Sequence, residues 1–158
     1  MQRFLGIIRP AIVAGSLCAT GTASLTNVAP ISSAAVDAWA ECRRLAHEAS
    51  NPDYQIRAIW GMAVYEYFTG RPTAAVCFAT DMVASAQRSH DWSAYAEGTR
   101  MLAQFRSYTG ELSVASEILE PLVQRYDRPA ERARHARFQS ELYELARCTL
   151  AFIRWLEG

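Results

Sequence analysis

The chain has 158 residues, of which 51% are hydrophobic and 20% charged; that is one domain's length with enough apolar side chains for a core, which excludes a disordered tail. Sixteen basic residues balance sixteen acidic ones, so no global charge points to nucleic acid or to an anionic membrane. Every basic residue is arginine, and without lysine neither Schiff-base chemistry nor a P-loop is available.

Residues 1–32 form a poorly defined N-terminal segment. Arg3 and Arg9 precede a stretch of small and apolar residues from Ala11 to Ala23. It reads either as a partial helix packing on the next one or as a signal peptide diluted by Pro10 and by Gly, Ser and Thr breaks. No run of eighteen apolar residues occurs, so the sequence offers no spanning helix.

Residues 33–158 read as one helical repeat domain. Ile56, Ile59, Ala63 and Tyr67 follow helical spacing, as do Ala75, Phe78, Ala79, Met82 and Ala86, and again Leu112, Ala115, Leu119, Leu122 and Tyr126. In the last segment Phe138, Leu142, Leu145, Thr149, Phe152 and Leu156 keep helical spacing, with steps alternating between four and three. Breaks fall at Asn51-Pro52-Asp53, Gly70-Arg71-Pro72, His90-Asp91, Gly110-Glu111 and Asp127-Arg128-Pro129, each a cap or turn signal. The expectation is about six antiparallel helices joined by short turns.

The four cysteines, Cys18, Cys42, Cys77 and Cys148, show neither C-x-x-C nor zinc spacing. They are expected in the core as buried thiols, a disulfide being the alternative should the chain be exported. His47, His90 and His135 have no recurring acidic neighbour and read as surface or capping residues. Glu141 and Glu144 are expected to pair with Arg137 and Arg147 along one helix.

Self-comparison at an offset of 40 aligns Met62-Ala63 with Leu102-Ala103, Phe68-Thr69-Gly70 with Tyr108-Thr109-Gly110, and Ala75 with Ala115. A further offset of 48 brings Leu102-Ala103 onto Leu150-Ala151. Helix, glycine turn and second helix with an early alanine resembles the tetratricopeptide repeat, and implies hairpins stacked as an all-α solenoid.

Three phrases carry a more specific likeness: Tyr54-Gln-Ile-Arg-Ala-Ile-Trp-Gly61, Gly98-Thr-Arg-Met-Leu102, and His135-Ala-Arg-Phe-Gln139 leading to Ala151-Phe-Ile-Arg-Trp-Leu-Glu-Gly158. These resemble the tetratricopeptide-like region of large bacterial signal-transduction ATPases and winged-helix transcriptional regulators. The resemblance covers the repeat module only, because the chain holds no G-x-x-x-x-G-K-[ST]. It implies a non-catalytic module in the cytoplasm that binds a protein partner or the other domains of a larger regulator, or senses a ligand. It also implies that repeats continue past Gly158, so that the chain is a truncated piece. The alternative is a small exported helical protein with a cleaved leader.

No catalytic, metal-binding or cofactor-binding residues are expected, and no cofactor. Direct nucleic-acid binding and membrane binding are not expected either. The residues proposed to contact a partner are Tyr65, Arg100 and Arg106, on the helices that would line a solenoid's concave face. With them go Arg132, Arg134 and Arg137 from an arginine-rich stretch, whose guanidinium forks suit acidic groups. Helix 138–156 carries Phe152, Ile153, Trp155 and Leu156 near its end and is expected to self-associate.

Overall fold

A computed structural model describes residues 33–126 and 142–158. The N-terminal segment, Arg132, Arg134, His135, Arg137, Phe138 and Glu141 lie outside the described residues. Within them the chain is all-α, with six helices and no strand: α1 (Ser33–Glu48), α2 (Pro52–Phe68), α3 (Pro72–Arg88), α4 (Trp92–Tyr108), α5 (Leu112–Tyr126) and α6 (Leu142–Glu157). No helix among them is long and apolar enough to cross a membrane. They fall into two compact units, Met1–Arg71 and Pro72–Gly158.

The turns follow one plan. Ser50, Gly70, His90 and Gly110 all have positive φ, at 50°, 77°, 54° and 87°. In each turn the next amide donates to the carbonyl five residues back: Asn51 to Ala46, Arg71 to Glu66, Asp91 to Ala86 and Glu111 to Arg106, at 2.9–3.0 Å. This left-handed closure satisfies carbonyls that the helix end leaves open. Left-handed residues therefore recur every twenty positions, and the forty-residue self-match is two helix-plus-turn lengths. The two non-glycine turns are followed by caps. Asn51 Oδ1 accepts from the Tyr54 amide at 3.3 Å, and Asp91 Oδ1 accepts from the Ala94 amide at 3.0 Å.

In the first unit α1 packs on α2. Trp39, Cys42 and Leu45 bury themselves with Ala58, flanked by Tyr54 and Met62. Gly61 makes this possible: a Cβ there would lie 2.2 Å from Trp39 Cε2. The indole occupies the space a side chain would take.

In the second unit α3 packs on α4, α4 on α5, and α6 on both α5 and α4. Gly98 lets α4 approach α3 closely, its missing Cβ facing Val83 and Met82. The core joins Ala96 and Ala103 of α4, Leu119 and Leu122 of α5, and Ala146, Leu150 and Ile153 of α6. Arg154 pairs with Glu120 at 2.7 Å and Ser116 donates to Glu157 at 3.1 Å, so α5 and α6 run antiparallel.

The structure corrects three expectations. Of the apolar residues expected on an unpaired face near the end of α6, Phe152, Trp155 and Leu156 are exposed, whereas Ile153 is buried with Ala146 and Leu150. α6 is apolar on two sides, and the side bearing small Ala146 is the one that fits closely against its neighbours. Cys77 and Cys148 are exposed free thiols, not core residues, because Ala75, Ala79 and Ala146, Leu150 take the buried faces of their helices. Cys42 is wholly buried but disulfide-bonded, its partner lying outside the described residues. Arg147 lies over the Tyr143 ring and donates to its hydroxyl at 3.3 Å, without an ion pair to Glu144 among the described residues.

Candidate ligand-binding cleft

The second unit contains a groove between α3, α4 and α5. It consists of two adjoining hollows of about 390 and 480 Å³ that share Trp92, Tyr95 and Arg125. That size suits a small ligand or a few side chains of a partner.

The helix order builds the groove from the residues upward. Asp91 caps α4, so Trp92 and Tyr95 leave its first turn one turn apart on the same side. Their rings stack, with centroids 5.3 Å apart and planes at 29°. The tight Gly110 turn then brings α5 back antiparallel, so that Arg125, near its end, reaches the beginning of α4. The Arg125 guanidinium sits over the Trp92 ring, 3.5 Å from its centroid, where a cation is attracted by the ring's electron-rich face.

The walls are apolar, with Val83 from α3, Leu102 from α4, and Ile118 and Leu122 from α5. Pro121, inside α5, has no N–H to give the Glu117 carbonyl, and both residues line the cleft. Thr99 adds a hydroxyl beside them, which donates to the Tyr95 carbonyl at 2.7 Å. His90 and Gln87 stand at the Arg125 end. The arrangement offers a ring platform, one cation and apolar walls.

The residues named from sequence stand elsewhere. Tyr65 is a half-buried α2 residue of the first unit, with Arg71 lying 5.4 Å from its ring centroid. Arg71 in turn bonds Glu66 at 2.5 Å, and this hydrogen bond is the main reason its guanidinium holds its proton more tightly than usual. Arg100 is buried on α4 and grips Glu97 with two hydrogen bonds of 2.8 and 2.9 Å, while its third donor meets Gln104 at 2.8 Å. Arg106 bonds Glu111 across the Gly110 turn. Neither α4 arginine lines the cleft. Arg132, Arg134 and Arg137 lie outside the described residues.

In the sequence Trp92 and Tyr95 are two of eight aromatic residues on the first helices of successive hairpins, and Arg125 opens the arginine-rich stretch, with nothing that joins them into a site. The usable signal was the aromatic pair at i and i+3 directly after the Asp91 cap. Among the described residues no group of three His, Cys, Asp or Glu side chains is placed to hold a metal ion. Comparison of the chain with protein-family models, with curated proteins and with solved structures finds no match.

Proposed function

We propose that this chain is a non-catalytic helical module that recognises a ligand or a protein partner through the cleft of its second unit. The observation that carries this reading is the stacked Trp92–Tyr95 platform under the Arg125 cation, bordered by apolar walls. Rings, a guanidinium and aliphatic walls are recognition chemistry. The twenty-residue recurrence of helix and turn supports a tetratricopeptide-like stack of hairpins. With the phrases quoted above, it supports a place in a bacterial regulator, as a sensing or docking part that speaks to other domains or to a partner protein.

Ligand-observed and protein-observed NMR with a library of small aromatic compounds tests the site. Compounds should shift the Trp92 indole and Thr99 amide signals together, and the reading fails if perturbations gather elsewhere or nowhere. One observation favours a second reading, the small exported protein: the buried disulfide at Cys42, since such bonds persist in oxidising compartments. Intact-mass measurement of the chain from its native host separates the two, because a cleaved leader shortens the N-terminus.

The aromatic face of α6 supports self-association as a further property. Phe152 and Trp155 are 42% and 74% exposed, and Tyr108 lies 6.4 Å from Phe152 between ring centroids. Sedimentation velocity should show concentration-dependent association that Trp155→Glu removes; a monomer at all concentrations refutes it.

A further inference from the structure

We propose that the ligand of the cleft is a small planar aromatic carboxylate, its ring against Tyr95 and its carboxylate paired with Arg125. This rests on reading the cleft as the binding site and adds the chemical class of what fills it.

The charge of the ligand follows from Arg125. Its guanidinium is exposed, and among the described residues it meets the Trp92 face and no carboxylate. A guanidinium laid flat on a ring keeps its N–H donors at its edge, in the plane, where a carboxylate can accept two of them at once. The nearest acid on α5 that lines the groove is Glu117. It stands eight residues earlier, about 12 Å along the helix axis, so the larger hollow is acidic at one end and cationic at the other. An anion therefore sits at the Arg125 end. Asp91, also at that end, spends Oδ1 on the Ala94 amide.

The shape of the ligand follows from the rings and the walls. Trp92 is stacked against Tyr95 and covered by Arg125, so Tyr95, which lines both hollows, is the π surface offered to a flat ring, which gains most there in an offset stack. Val83, Leu102 and Leu122 close on it with aliphatic groups, which reward an uncharged hydrocarbon body. A hollow of about 480 Å³ holds one or two fused rings with their substituent.

Calorimetric titration of the full chain with 2-naphthoate and with its neutral counterpart 2-naphthamide tests this. 2-Naphthoate should bind, with the amide about tenfold weaker or more, the range for a hydrogen-bonded charge pair. Arg125→Gln should lower naphthoate affinity by a similar factor and leave the amide unchanged, while Tyr95→Leu should weaken both. Arg125 is exposed, so its replacement leaves the fold intact, which a melting curve checks. Equal binding of acid and amide, or naphthoate binding indifferent to Arg125→Gln, overturns the carboxylate assignment while leaving the cleft as a binding site. Absence of binding by either compound, with no shift of the Trp92 indole signal, overturns both the assignment and the cleft reading beneath it.

Discussion

Gly61 and Gly98 form a matched pair of mid-helix glycines, and the structure assigns opposite outcomes to the same substitution at each. Replacing glycine by alanine inside a helix gains about 1 kcal/mol of propensity. At position 61 the new methyl would lie 2.2, 2.4 and 2.7 Å from Cε2, Cδ2 and Cζ2 of Trp39. Trp39 is 1% exposed and packed on Cys42, Leu45 and Ala58, so the indole cannot swing aside without opening the core of its unit. Such a clash lies at or above the upper end of the usual overpacking cost, about 3 kcal/mol. The net expectation for Gly61→Ala is a loss of about 2 kcal/mol or more. At position 98 the methyl meets Val83 Cγ2 at 3.1 Å, Met82 Cγ at 3.2 Å and the Val83 amide nitrogen at 3.3 Å. All three contacts ask for a shift of only a few tenths of an ångström, against more than half an ångström at position 61. Gly98→Ala should therefore stay within about 1 kcal/mol of the parent, propensity offsetting the squeeze. Urea titration followed by circular dichroism reads both variants, and Trp39→Phe should restore part of the loss in Gly61→Ala but do nothing for Gly98→Ala. A Gly61→Ala chain as stable as the parent would refute the account of the Trp39 seat.

Ser50 and His90 hold left-handed backbone without being glycine, so Ser50→Gly and His90→Gly should each raise stability by up to about 1 kcal/mol, and Gly70→Ala and Gly110→Ala should lower it by about as much, as read by melting temperature. Glu97→Ala strands the buried Arg100 guanidinium, for an expected cost of about 3–5 kcal/mol in denaturant titration; a variant within experimental error of the parent would show that the pair is not sealed from water. Thiol titration of the native chain without reductant should count two fast groups, Cys77 and Cys148, while Cys42 reacts only after reduction and unfolding. Filling the helix crossing with Ala63→Trp or Ala103→Trp, both residues having no exposed surface, should lower the melting temperature through overpacking of at least about 1–3 kcal/mol.

Helix boundaries were legible because Asn51, Gly70, Asp91 and Gly110 each announce a local event that needs no tertiary knowledge, a cap or a left-handed turn. Faces were legible where one side of a helix is plainly more apolar, as with Ala75, Ala79, Met82 and Ala86. In α6, apolar on two sides, spacing does not tell that the side of small Ala146 and of Ile153 takes the close approach. Gly61 gave no warning, since a mid-helix glycine reads only as a weak helix former until Trp39 is placed on it. The cleft escaped for a similar reason. Trp92 and Arg125 are thirty-three positions apart, and only the return of α5 along α4 brings a guanidinium onto an indole. Arg100 looked available on its helix face because spacing shows the Glu97 partner but not its burial.

Helix α4 has buried positions on every side of its axis: Ala96 and Ala103 in the shared core, Gly98 facing α3, and Glu97 and Arg100 besides. It therefore cannot fray inward from one flank as a surface helix does. Its amides should exchange with solvent only when the whole second unit opens, and so serve as the reporter of that unit's global stability. The two halves of the cleft then live on different clocks. Trp92 and Tyr95 ride on the slowest element of the unit, while Arg125 stands one residue from the end of α5, where a helix frays first. A ligand that ties the guanidinium down adds order to the mobile half alone, and slowed exchange near the end of α5, with α4 unchanged, is the mark it would leave.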